Sequence, residues 1–193
     1  MRGPGAGSPP GPQARAALPA ADPGSRSGGS LSPHPIEAAA RPSTAGRMFV
    51  LDSEQRLLLV HERRDIGSSE TIWITPGGGV EALESLTETA TREVYDEAGR
   101  HLRLADSASA VCVEWVTFRL AGTVYDQPNR YFLARVPAGT AVHPAAHTDI
   151  ERLLVLGHRW WSFAELRASD ALREPTAIVE VVEKALAREC RRR

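Results

Sequence analysis

The stretch REVYDEAGR at 92–100 crowds three carboxylates, Glu93, Asp96 and Glu97, into five residues. On a helix, positions three and four apart are neighbours. The 93/96 and 93/97 pairs are then like-charge contacts, each destabilising by roughly 0.2–0.5 kcal/mol on an exposed surface. Water and salt can offset that cost, and so can a bound cation. With Glu93 at zero and roughly 100° per residue, Glu97 falls near about +40° and Asp96 near about −60°. Leu86, Ala90, Val94 and Ala98 fall between about +20° and +140° on the same wheel, so the acids border the apolar stripe. Glu88 and Arg92 take the outer side. At such a seam the local dielectric is lower and the repulsion stronger. A hard divalent cation relieves it, and Mg²⁺ favours one or two carboxylates completed by water and phosphate oxygens. The acid spacing taken alone leaves a solvated acidic face as the alternative.

Several elements must hold these residues in place. Ser85-Leu86-Thr87-Glu88 matches a capping box, which predicts a helix starting at Ser85. Gly99 is its stop signal. Ahead of the helix, TIWIT is a short strand ending at Pro76, and PGGGVEALE is a Gly-rich loop. GRMFVLD and RLLLVHE, separated by SEQ, form a hairpin. VCVEWVTFRL and RYFLARV read as further strands, the alternation placing Trp115 in the core. In HTDIERLLVLGHRWW, Glu151 lies in a loop; Trp160 and Trp161 point to opposite sides if extended. Ser162 and Glu165 form a second capping box, and Ile178, Val181, Val182 and Leu186 mark a helix from Pro175 to about Arg188. Strands around one central helix, with a helix at the end, make a mixed α/β layered domain.

The wider spacing carries more. From Gly78, five residues lead to Glu84 and seven more to Arg92-Glu93, followed by Val94, Tyr95, Asp96, Glu97, Ala98 and Gly99. This resembles the Nudix box: Gly, five residues, Glu, seven residues, Arg-Glu, an apolar residue, any residue, Glu-Glu, any residue, Gly, then an apolar residue. The lead-in WITPGGGVE and the later HRWWSFAEL are also similar to Nudix segments. Two positions depart from the pattern. Asp96 stands where the first Glu of the pair belongs, and Arg100 replaces the final apolar residue.

The resemblance implies an α/β/α sandwich, with a mixed sheet flanked by helices, over 41–190. It also implies a Mg²⁺-dependent pyrophosphohydrolase, with Mn²⁺ as a substitute ion, cleaving a nucleoside diphosphate derivative or a nucleoside triphosphate by water attack. Glu93 and Glu97 are then metal ligands, and Asp96 is a ligand or the holder of a metal-bound water. Glu84 orients the site through Arg92, or is simply an acid favoured near a helix N-terminus. Gly77, Gly78 and Gly79 approach the substrate phosphates, or form only a tight turn. The general base is a box glutamate or a later acid, for which Glu151 is the candidate. A non-catalytic nucleotide-binding or sensor module on the same fold is the alternative. An isoprenyl diphosphate isomerase is disfavoured, because Cys112 lies in a strand and no His cluster accompanies it.

The totals set outer bounds. The 193 residues carry Lys+Arg 23 against Asp+Glu 24, a net charge of −1, with no basic field for nucleic acid. No apolar run approaches a membrane span. The partner expected is a small nucleotide or a nucleoside-diphosphate-linked molecule, with a homodimer left open. Two widely separated cysteines, Cys112 and Cys190, fit a reducing cytoplasm. Residues 1–47 hold nine of the 14 prolines and eight of the 16 glycines, so 1–40 reads as a disordered extension. That extension lacks the apolar centre of a secretory signal. An organelle transit peptide and a true start further downstream are its alternatives.

Overall fold

The computed structural model describes residues 40–104 and 108–191. The extension expected over 1–40 lies outside these, apart from its last residue.

The strands are β1 (Arg41–Pro42), β2 (Ala45–Asp52), β3 (Leu57–Arg63), β4 (Thr71–Ile74), β5 (Gly77–Gly79), β6 (Cys112–Leu120), β7 (Thr123–Val136), β8 (Val155–Trp161) and β9 (Arg173–Glu174). The helices are α1 (Leu86–Ala98), α2 (Asp149–Leu154), α3 (Phe163–Ala168) and α4 (Ile178–Cys190). One mixed sheet runs β1-β7-β2-β3-β4-β9, with β5 on β2, β6 on β7 and β8 on β3. At its centre β2 lies parallel to β7 from Ala45↔Asn129 to Asp52↔Val136. Strand β2 is buried along almost its whole length, as a strand covered on both faces must be.

Alternate residues of β2 feed two cores. Met48 and Val50 pack with Leu58, Phe132 and the Ala90, Val94 and Ala98 stripe of α1. Phe49 and Leu51 pack with Leu57, Leu59, Tyr131 and Trp161 beneath Leu166 of α3 and Ile178, Val179 and Val182 of α4. The helices therefore cover both faces of the sheet, giving the sandwich that the resemblance implies. Trp161 is buried in the second core, while Trp160 packs on the first, as opposite-facing neighbours should.

The structure differs from the sequence reading at three places. Gly77–Gly79 is a short strand, antiparallel to β2 through Gly46↔Gly78, where a loop was expected. Glu151 belongs to helix α2, because Thr148 and Glu151 form a third capping box: Thr148 Oγ1 accepts from Glu151 N–H, and Glu151 Oε2 accepts from Thr148 N–H. Trp115 is 67% exposed. The alternation of β6 is real but has the opposite phase, with Val113, Trp115, Thr117 and Arg119 facing out. Its inner face carries Glu114, which lies within reach of the Tyr131 hydroxyl at 3.5 Å.

Strands β2 and β3 meet antiparallel at Leu51↔Leu57, while the other end of β2 pairs with β5 instead. The sheet thus opens between β6-β7 on one side and β3-β4 on the other. Side chains from both sides line a cavity of about 160 Å³ there.

Candidate active site

Helix α1 is anchored at both ends. Ser85 Oγ accepts from Glu88 N–H, and Glu88 Oε2 accepts from Ser85 N–H at 2.7 Å. At the other end Gly99 takes φ 66°, and its N–H reaches Tyr95 O at 2.8 Å. These ends hold the register that turns Ala90, Val94 and Ala98 into the core and brings Glu93 and Glu97 against β5. Both carboxylates are more deeply buried than the helical wheel implies, at 4% and 3% exposure. Gly78 makes this approach feasible: a Cβ at that position would lie 2.6 Å from Glu93 Cδ. Glu97 Oε2 accepts from Gly77 N–H at 3.0 Å. The glycine strand is therefore a wall against the two acids: the missing side chain of Gly78 lets Glu93 in, and the Gly77 N–H holds Glu97.

Arg92 is the hub. It holds Glu84 with two N–H groups, Nε to Oε1 at 2.6 Å and Nη2 to Oε2 at 3.1 Å. Its Nη1 donates to Glu93 Oε1 at 2.9 Å and lies 3.5 Å from Asp96 Oδ2. Its Nη2 also reaches Gly79 O at 3.3 Å. Glu84 further accepts from Thr89 Oγ1 and from Glu81 N–H, and with Arg92 these hold its carboxyl below its ordinary value. The geometry thus places Glu84 and Arg92 as a brace between the glycine strand and the helix.

The remaining acids are electrostatically frustrated. Burial pushes Glu97 well above the ordinary carboxylate range, and the charges of Glu62 and Glu93 push it further. Glu93 is raised by burial against the pull of Arg92, with Glu151 and Asp96 adding to the rise. Asp96 is raised in the same way, again with Glu151 contributing. Glu62, at the end of β3, is pushed up to about 7 by burial, against the pull of Arg47 and with Glu151 and Glu93 adding. The charge of Glu151, on α2, therefore bears on the box acids. The structure also adds two residues that sequence reasoning missed, Glu62 and Arg47. Neither has a diagnostic spacing. Arg47 interrupts an apolar strand, where a buried cation is unusual enough to have been a signal.

Among the described residues, no three His, Cys, Asp or Glu side chains are already gathered around one point. Mg²⁺ does not need such a cage, since it keeps water and takes phosphate oxygens beside one or two carboxylates. The donor set here is carboxylate oxygen, buried against a glycine wall, and its mutual repulsion is what a hard cation relieves. The residues present fit that ion.

A NUDIX domain model matches residues 41–181. The chain belongs to the NUDIX family. The m7GpppN-mRNA hydrolase NUDT17 of Homo sapiens is 34% identical over 55 residues, 28% of this chain and 17% of that protein. The Danio rerio protein of the same name is 32% identical over 82 residues, 42% of this chain and 27% of that protein. The matched segments thus span well under a third of those relatives. Among solved structures, the MutT protein of Methanosarcina mazei Go1 superposes with TM-score 0.55 at 18% identity, covering 79% of this chain and 99% of that one. The NUDIX domain of Shewanella oneidensis NrtR, solved with ADP ribose, gives TM-score 0.54 at 16% identity, covering 79% and 94%. These likenesses show the NUDIX fold.

Proposed function

We propose that the chain is a Mg²⁺-dependent pyrophosphohydrolase that cleaves the diphosphate of a nucleoside diphosphate derivative or a nucleoside triphosphate by water attack. The observation that carries this reading is the buried Glu93–Glu97 pair, set against a side-chain-free wall with too few cationic partners to balance it. Family membership supports hydrolysis of a phosphoric anhydride. The two curated relatives, named as hydrolases of a capped mRNA, support pyrophosphate chemistry in general.

In this reading Glu93 and Glu97 would hold Mg²⁺, and Asp96, one methylene shorter than the residue the family pattern has there, would hold a metal-bound water. The bound ion supplies neutralisation of phosphate charge and a lowered pKa for coordinated water. Arg92 and Glu84 keep the carboxylates in register with β5. Gly77 N–H fixes one oxygen of Glu97 and leaves the other free. In this reading Glu151 or Glu62, whose charges bear on the cluster, would take a proton from the attacking water.

The test is release of phosphate-containing products, resolved by chromatography, with and without Mg²⁺. The panel holds nucleoside triphosphates, ADP-ribose, dinucleoside polyphosphates, NADH, sugar nucleotides and a cap analogue. Turnover of one class only with Mg²⁺ is expected. Glu97→Gln should remove most of it, because Gln can still accept from Gly77 N–H but brings no charge to the ion. Full activity in that variant would refute the assigned roles. Nucleotide binding with no hydrolysis would make the chain a binding module instead.

A further inference from the structure

The cavity between the two halves of the sheet is lined by Glu62 and Arg47, which bear on the carboxylate cluster, and by Gln127 and Glu174. Ile72, Ile74, Val116 and Phe118 give it an apolar wall, with the Phe118 ring stacked on Tyr125 at 5.2 Å between centroids, and Arg63, Arg64 and Arg119 also line it. The apolar wall suits a flat ring, and Gln127, Glu174 and Arg47 add polar groups to the lining.

Those polar groups have a fixed polarity. Asn129 is fully buried, and its Nδ2 donates to Glu174 Oε1 at 2.8 Å. Since a carboxylate only accepts, Asn129 must turn its nitrogen to Glu174 and its oxygen to Gln127. Gln127 Nε2 therefore donates to Asn129 Oδ1, at 2.7 Å. That leaves Gln127 Oε1 and the second oxygen of Glu174 as two acceptors on cavity-lining residues. Arg47 contributes the opposite polarity: one N–H group donates to Thr75 O at 2.9 Å, while its Nε is buried without a partner.

We propose that this cavity reads the base of the substrate and selects guanine. The inference rests on the reading above, in which the box acids hold the diphosphate next to it. Guanine presents two adjacent donors, N1–H and the 2-amino group, beside the O6 acceptor. Two acceptors and a guanidinium complement that edge. Adenine and cytosine would turn a ring-nitrogen lone pair toward the Glu174 carboxylate. Uracil offers a single donor between two carbonyls. A mismatched edge leaves buried groups unpaired, which is how such pockets discriminate.

The test is calorimetric binding of GMP, IMP and AMP to the full chain in EDTA, which separates base recognition from turnover. GMP is expected to bind roughly 10-fold or more tightly than AMP, with IMP, which lacks the 2-amino group, between them. Glu174→Gln can keep its bond from Asn129 but turns a donor toward the cavity, so the GMP preference should fall to within about twofold. Gln127→Met should weaken GMP and leave AMP unchanged, with the melting temperatures of both variants showing that the fold persists. AMP binding as tightly as GMP, an undiminished preference in Glu174→Gln, or no binding of any of the three would overturn the proposal. Base-selective binding without hydrolysis of the substrate panel would sink the pyrophosphohydrolase reading and leave this one standing. Hydrolysis without base preference would do the reverse.

Discussion

Glu93, Asp96 and Glu97 were legible because a helix brings together residues three and four apart, so their mutual repulsion is a property of local spacing. Glu62 and Arg47 were not, because they reach the cluster only through sheet register and the opening between β2 and β3. Glu151 falls between these cases: its residue type was suggestive, and α2 brings its charge to bear on Glu62, Glu93 and Asp96. One of its oxygens accepts from Thr148 N–H at 2.6 Å, which fixes the carboxylate and leaves the other oxygen to take a proton. Glu151→Gln preserves that bond. It is expected to lower kcat by roughly 10²-fold or more while KM changes little, the signature of a lost general base. An unchanged kcat, with the loss appearing in Glu62→Gln instead, would move the role to Glu62. Steady-state kinetics on the substrate identified by the panel decides between them.

Among the elements, those with sequence-local end signals were the readable ones. Helix α1 begins at its capping box and ends at a left-handed glycine, and α3 follows Ser162 as expected. Helix α2 carries the same Thr-x-x-Glu signal, with Ile150, Leu153 and Leu154 at helical spacing, but it is only six residues long and Ile150 and Leu153 are exposed rather than packed. Strand β6 shows the limit of period-two reasoning. Alternation defines two faces without saying which is inside, and here Glu114 goes inward to the polar chain around Tyr131 and Asn129. The β6–β7 hairpin was hidden too. Leu120 pairs with Thr123, and the two turn residues Ala121 and Gly122 take φ 48° and 79°. Positive φ at both central positions is the pattern of a type I′ turn, which favours Asn-Gly. An alanine there is strained by roughly 1–2 kcal/mol. Ala121→Asn should therefore stabilise the fold by about 1 kcal/mol, read as a higher urea midpoint at unchanged slope. A lower midpoint would mean that the hairpin does not adopt this turn.

At the scale of the whole molecule, the two cores on either face of β2 must stabilise a layer of buried acids that contributes nothing to folding by itself. Protons and Mg²⁺ should therefore be linked to stability. Glu62 keeps its proton in the folded chain up to about pH 7, against an ordinary value of 4.5, and Glu97 is raised in the same direction. At these carboxyls the folded chain binds more protons than the unfolded one as pH rises from the ordinary carboxylate value, which lowers metal-free stability across that window, while His158, held below its ordinary value by burial, contributes oppositely up to that value. A depressed carboxyl such as Glu84 contributes oppositely, but its loss occurs only as pH drops below the ordinary value. A ligand that binds only the folded state adds RT ln(1 + [L]/Kd), and metal affinity grows as the carboxylates deprotonate. The melting temperature in EDTA should decline from pH 5 to pH 8, and the rise on adding Mg²⁺ should be larger at pH 8 than at pH 5. In Glu97→Gln the decline should be shallower and the Mg²⁺ increment smaller, because one buried charge has gone. A melting temperature in EDTA that climbs over the same range would mean that these carboxylates are already matched by cations of the protein's own, and the case for a bound metal would lose its physical basis.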